Sequence, residues 1–262
     1  MAALKKRYLS AGTVHVVAGF FTKGVTGSIA AQTANIVPLI GGEYTLRQSN
    51  FHFEKFNGKD AVRFASAVAE TTGTRDPARG PVGTSTVTAT LEDVEILGIL
   101  KVDRIQAQLE CSQPLDGSSD GTITVTKAKF EGLSIRGHVI EPHLETDSFV
   151  TNGGNSWTGL HARFFRDSEF RKREISGGTL DPSTEGIYMT LVDQPGKSFP
   201  ADGITCLGNL ITVKDFGTIH IGEYLVTPYK RHLTMLRLEL SGPVDGNLTV
   251  VDVYGNGQPY PP

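Results

Sequence analysis

Apolar and polar residues alternate along most of this chain with a period of two, the pattern of strands that bury one face. In "NFHFEKFNGKDAVRFASAVAE" (50–70), Phe51 and Phe53 lead into Asn57-Gly58, and Val62 and Phe64 follow. Both turn residues tolerate the positive φ of a type I′ turn, so the segment predicts a hairpin. In "STVTATLEDVEIL" (85–97), Val87, Ala89 and Leu91 share one parity, and Val94 and Ile96 take the other. That slip predicts a bulge or bend near Glu92-Asp93. Leu100 and Val102 repeat the behaviour, with a second slip at Asp103-Arg104 before Ile105, Ala107, Leu109 and Cys111. Further strands follow at "TITVTKAKFEGLSIRG", and a last hairpin is expected around Gly242 to Asn247. Turn signals every eight to twelve residues or so point to an antiparallel all-β protein.

One segment departs from this period. "SWTGLHARFFRDSEFRKREIS" (156–176) places Trp157, Leu160 and Phe164 at helical spacing between Gly153-Gly154 and Gly177-Gly178. It predicts a short amphipathic helix or an irregular strand packed on the sheet. Its charge run, Arg166 to Glu174, mixes both signs and reads as a solvated face. The Gly-, Pro- and Thr-rich stretch 69–85 is expected to be a long loop or a boundary between β-layers.

At 262 residues the chain fits one large all-β domain, with 1–80 and 84–262 as an alternative division into two β-layers. A net charge of −3 offers no basic surface for a phosphate backbone, which argues against nucleic-acid binding. No run approaches the roughly 18 apolar residues that span a bilayer. Lys5, Lys6 and Arg7 precede an apolar stretch interrupted by Gly12, Thr13 and His15, which reads as a first strand rather than an export signal. The expectation is a cytoplasmic protein. Two cysteines, Cys111 and Cys206, are too few for a disulfide framework.

Few motifs carry chemistry. "GSSDG" (117–121) matches a nucleophile elbow with Ser119, but a strand follows where the motif needs a helix. "PGKS" (195–198) ends like a phosphate-binding loop, but Leu191 stands where its first glycine belongs. Neither a cofactor fingerprint nor a metal-ligand pattern is expected.

Two stretches remain as candidate ligand sites. "GHVIEPHLETD" (137–147) contains His138, Glu141 and His143. The two histidines point to opposite sides of a strand and diverge on a helix, so they do not grip one ion. Glu141, His143, Glu145 and Asp147 share parity, as an exposed, charge-protected edge strand would. "FGTIHIGEYLVTPYKRHL" (216–233) contains His220 and Glu223, and after Pro228 it carries Tyr229, Lys230, Arg231 and His232, a loop suited to a carboxylate, phosphate or sugar. Strict alternation puts His220, Gly222 and Tyr224 on one face and Glu223 on the other.

From about 84 to 140 the chain resembles the bacterial choice-of-anchor P family. The matching residues are Val94, Ile96, Leu97, Gly98, Val102 and Asp103, then Phe130, Leu133, Ile135 and Gly137. The resemblance covers about a fifth of the chain and implies an all-β module of unknown activity displayed on cell surfaces. It makes extracellular or surface display the alternative location, and it carries over no functional residues.

The sequence therefore predicts a β-sandwich or barrel-like assembly of hairpins with one short helical or irregular segment near 156–176. Its expected role is non-enzymatic binding or self-assembly of bacterial type, as a homo-oligomer without cofactor, nucleic acid or membrane insertion. The alternatives are a small-ligand binder or a hydrolase or isomerase with a pocket between sheets, and a glycan-binding module using Trp157.

Overall fold

The computed structural model describes residues 7–8, 11–38, 41–75, 82–114, 121–150, 155–175, 186–193, 203–256 and 259–260. Lys5 and Lys6, the 76–81 part of the Gly-rich stretch, residues 117–120 of "GSSDG", both glycine pairs and "PGKS" lie outside them.

Strands are numbered in chain order. The short β1 (Arg7–Tyr8) pairs with β18 (Pro259–Tyr260). Sheet 2 contains β2 (Ala11–Lys23), β3 (Gly27–Gln32), β4 (Asn35–Ile36), β12 (Ile187–Thr190), β13 (Ile204–Leu207), β14 (Leu210–Val213), β15 (Gly217–Val226), β16 (Lys230–Leu240) and β17 (Asp245–Asn256). Sheet 1 contains β5 (Gly42–Phe56), β6 (Lys59–Arg75), β7 (Val82–Ile96), β8 (Leu100–Pro114), β9 (Thr122–Glu131), β10 (Ser134–Ile135) and β11 (His138–Val139). Sheet 1 runs β11-β10-β8-β7-β6-β5, with β9 also beside β8. Sheet 2 runs β13-β14-β15-β16-β17-β2-β3, with β12 beside β15 and β4 beside β2. All pairings are antiparallel. Sheet 2 therefore joins the two ends of the chain, and sheet 1 is its middle.

The sheets pack face to face, β2 and β17 lying over β6, β7 and β8, around one shared apolar core. Their approach is close enough that a Cβ on Gly12 would sit 2.6 Å from Val87 Cγ1, and one on Gly255 2.7 Å from Cys111 Sγ. Aromatic side chains fill the wider parts, as where Phe21 stacks on Phe53 across the sandwich with ring centres 5.5 Å apart. The sequence's hairpin at Asn57-Gly58 forms with φ of 50° and 78°, and it sets Phe51 opposite Phe64 and Phe53 opposite Val62.

Parity changes partway along the strands. Asp93, at φ 52°, shifts β7 from burying Val87, Ala89 and Leu91 to burying Val94 and Ile96. On β8 the buried row moves from Leu100 and Val102 to Ile105, Ala107 and Leu109. Both slips fall where the sequence pattern set them. Sheet 2 has a matching line that the sequence reading did not find. Buried residues fall together at Val16-Val17, Met235-Leu236 and Val250-Val251, and β15 turns at Gly222. Val251 and Gly222 adopt φ of 53° and 61° there. Each strand bends at this level, so outward side chains on either side of the bend are three residues apart instead of two.

The helical segment plugs one side of the sandwich. Helix α1 (Trp157–Arg166) starts at Ser156, whose Oγ accepts from the Gly159 N–H, and buries Leu160 and Phe164. Helix α2 (Ser168–Arg171) starts at Asp167, which accepts from two N–H groups, and buries Phe170. Through Phe149, which meets both Phe170 and Tyr224 at about 5.2–5.3 Å, the plug is tied to sheet 2. Each of these aromatic rings, fully buried, contributes roughly 2–3 kcal/mol of transfer free energy.

The expected edge strand over 137–147 is shorter than the parity argument required. Regular pairing stops at the two-residue β11, because the chain then leaves sheet 1 for sheet 2, where Leu144 bridges Val192 and the Glu145 N–H donates to Leu191 O.

Candidate functional site

The two buried carboxylates among the described residues, Glu223 and Asp252, both stand on the outward face of sheet 2, which carries two cross-strand rows. His15, Asp252, Thr234, Glu223 and Thr190 stand opposite one another on β2, β17, β16, β15 and β12. Across the bend, Ala18, Thr249, Arg237, His220 and Leu210 form the adjacent row. Interactions across the bend stitch the rows together.

Glu223 is 3% exposed although it lies on the outer face. Arg237 clamps it in a fork, Nε to Oε2 at 2.7 Å and Nη2 to Oε1 at 2.8 Å, and also reaches Glu239. His220 Nδ1 lies 3.3 Å from Glu223 Oε1, and the Tyr188 hydroxyl donates to the same carboxylate. Burial works against the charged carboxylate, but the Arg237 and Tyr188 hydrogen bonds and the Arg237 charge outweigh it, so the pKa is lowered. Burial, the same carboxylate and its hydrogen bond raise the Tyr188 pKa.

Asp252, 8% exposed, forms the second node. His232 Nε2 donates to Oδ1 at 2.7 Å and the Thr234 hydroxyl donates to the same oxygen at 2.6 Å. His15 Nδ1 sits 3.6 Å from Oδ2, while its Nε2 lies 3.2 Å from Thr249 Oγ1. One carboxylate thus serves two histidines with opposite outcomes. Burial dominates at His15 and lowers its pKa; at His232 burial is overcome by the Asp252 hydrogen bond and charge, and the pKa rises.

Of the residues singled out from sequence, the structure brings His220 and Glu223 together, which corrects the alternation argument. The left-handed Gly222 reverses parity, so Glu223 turns outward beside His220 and Tyr224 turns into the core. Lys230 stands at the end of the same face, its Nζ 5.8 Å above the Tyr254 ring, whereas Tyr229 is an exposed turn residue. His138, Glu141 and His143 do not converge. His138 is exposed on β11, Glu141 is exposed in the crossover, and His143 pairs with Asp193 at 3.0 Å. The polar row imagined for that strand is dispersed, since Glu145 instead turns to the Ser148 N–H at 2.7 Å and to Arg173 at 3.0 Å. Trp157 rests partly buried against the core with its ring centre 4.9 Å from that of His161.

The partners that sequence reading missed are His15, Tyr188, Thr234, Arg237, Thr249 and Asp252. A signal for several of them exists. Doubled apolar residues (Val16-Val17, Met235-Leu236, Val250-Val251) in otherwise alternating strands mark parity slips.

Inside the core, Arg231 is fully buried and donates through Nη1 to Thr227 O at 2.5 Å and Lys230 O at 3.1 Å. Burial lowers its pKa and pushes the neighbouring Tyr224 up to about 12. Among the described residues, no group of three or more His, Cys, Asp or Glu side chains is arranged to hold a metal ion. None of their helices is long and apolar enough to cross a membrane. A surface hollow of about 540 Å³ lies along the helices, lined by Gly159, Ala162, Arg163, Arg166, Asp167 and Ser168.

Fold and site together define an antiparallel two-sheet sandwich whose outer charged face is largely satisfied from within. The chain belongs to the family described as a domain of unknown function, DUF8256, which matches residues 8–175. That span takes in sheet 1, both helices and His15, and it ends before Glu223, Arg237 and Asp252. No curated protein and no solved structure matches the chain.

Proposed function

We propose that this protein acts by binding or assembling through the edge of sheet 1 rather than by catalysing a reaction. The observation that carries this reading is β5. Residues 42–47 are exposed without interruption, although β5 is a 15-residue strand paired along its length with β6. Among the described residues no strand pairs with its other edge. A long free edge is a ready template for another strand. The charged groups of sheet 2, by contrast, are committed to one another. The choice-of-anchor P resemblance, an all-β module shown at surfaces, is compatible with such a role. Light scattering over a concentration series tests the proposal: a mass above 28.2 kDa is expected at the upper end, and a clean monomer up to roughly 100 µM, well above the dissociation constant of a small edge contact, counts against assembly.

A hydrolase is the second reading, favoured by one observation: Thr249 Oγ1, His15 and Asp252 stand in line as a hydroxyl, a neutral imidazole and an orienting carboxylate. The Thr249 hydroxyl would attack an ester carbonyl as its proton passes to His15 Nε2, the departing alcohol would take that proton, and water activated by the same imidazole would then release the acid and restore the hydroxyl. Incubation with an activated acyl ester and intact-mass analysis tests it. A single acyl adduct lost in Thr249→Val supports this reading, and an unmodified chain removes it.

A further inference from the structure

We propose that β5 pairs with β5 of a second copy of this chain, antiparallel about a two-fold axis through Thr45, fusing two seven-stranded sheets into one. This deepens the edge-binding reading above and rests on it.

The first support is an inward-facing row that runs out of cover. On β6, Ala67, Ala69 and Thr71 face the core and are buried. Their partners across the ladder are Gln48, Leu46 and Tyr44, which belong to the same face of the sheet. Yet Tyr44 is 52% exposed and Leu46 46% exposed. Beside them Asn35 Nδ2 reaches Tyr44 O at 3.1 Å, and Ile36 next to it on β4 is 65% exposed. Among the described residues, sheet 2 reaches this corner only through the short β4, and Tyr44 and Leu46 stay about half exposed where a neighbouring strand would shield them.

Conformation limits which part of the edge can pair. Asn50 and Glu54 adopt φ of 53° and 40°, which breaks the extended edge beyond Ser49. Gly42 itself stands at φ 124°, so the regular part is 43–49.

Charge then selects the partner and the register. Two copies related by a two-fold axis perpendicular to the sheet keep inner faces together, so opposed residues have equal parity. Centring the axis on Glu43 or on Arg47 sets like charges against each other. With the axis on Tyr44 or Leu46, Glu43 and Arg47 face only uncharged residues. Centring on Thr45 sets Glu43 opposite Arg47 and Tyr44 opposite Leu46, each twice. Opposite-charge and aromatic–aliphatic cross-strand pairs are both stabilising. The pairs that carry this register use 43–47, all within the regular part. Charges that would repel an unrelated edge thus complement a second copy of themselves. A contact of this size is small, so a dissociation constant of about a micromolar or weaker is expected.

Sedimentation velocity of the full chain tests this with the parent and three variants. Glu43→Arg sets two pairs of like charges across the axis and should weaken the dimer about tenfold or more. Glu43 makes no ion pair among the described residues, so folding should be unaffected, and the melting temperature monitors that. Arg47→Glu should weaken the dimer similarly, with its contact to Glu70 at 3.8 Å lost as a side effect. The double charge swap, Glu43→Arg with Arg47→Glu, should restore association to within about threefold of the parent. A parent chain that associates but ignores these changes, or a double variant as weak as the singles, overturns this register and leaves edge binding standing. A parent chain that stays monomeric throughout overturns this pairing and, with it, the assembly reading.

Discussion

Replacing Arg237 with methionine removes the guanidinium that holds Glu223 in place while keeping most of the apolar stem. Glu223, 3% exposed in the parent, is left with His220 and the Tyr188 hydroxyl beside its carboxylate. Removing one partner of a buried ion pair costs about 3–5 kcal/mol, because the other charge stays desolvated. Since Arg237 itself keeps part of its surface in water, the lower end, about 3 kcal/mol, is expected at pH 7. For a chain of this size that is a fall of roughly 6–12 °C in melting temperature. Urea denaturation followed by far-ultraviolet circular dichroism measures it directly. The sign of the pH dependence is the sharper check. In the parent chain the folded pKa of Glu223 lies below 4.5, so its contribution is present above the unfolded pKa and is lost as pH falls through the folded one. Without Arg237, burial dominates and the folded pKa lies above the unfolded one, so acid relieves the penalty. The gap between the two proteins should therefore narrow as pH falls from 7 to about 4.5. A loss below about 0.5 kcal/mol, or a gap that stays flat or widens in acid, refutes the claim that Glu223 is a desolvated charge held by Arg237.

Two further outcomes follow from the core. Burial pushes the Cys111 thiol up to about 12 and also raises Cys206, which is half-buried, so in the native protein a thiol reagent should label Cys206 slowly and Cys111 not at all, with both labelled in denaturant; fast native labelling of Cys111 contradicts the packing. Gly255→Ala drives a Cβ to 2.7 Å from Cys111 Sγ and should destabilise the chain by about 1–3 kcal/mol, as overpacking does. Adding Cys111→Ala should return part of that loss in the same urea assay, and purely additive losses would place the strain elsewhere.

Much of the architecture could be read from the chain itself. Asn57-Gly58 announced its hairpin, and the slips at Glu92-Asp93 and Asp103-Arg104 announced the bends of β7 and β8, because φ preference and side-chain alternation are local properties. The segment after Gly153-Gly154 became helix because Ser156 and Asp167 cap it and Leu160, Phe164 and Phe170 face one way. The candidate site was only half visible. His220 and Glu223 were named, but on opposite faces, since one left-handed glycine, Gly222, overturns the count of alternate residues. His138 and His143 drew notice through closeness in sequence, and the crossover from sheet 1 to sheet 2 separated their roles.

The amino-acid order by itself determined that this polypeptide makes strands, where many of them turn, and which residues β7 and β8 bury on either side of their slips. Only the tertiary structure decided that β2, near the amino end, lies against β17, so that His15 meets Thr249 and Asp252. It alone decided that, among the described residues, β5 ends its sheet with Tyr44 and Leu46 about half exposed. The reason is that alternation is written within each strand, whereas the neighbour across a ladder is chosen by burial summed over the entire sandwich.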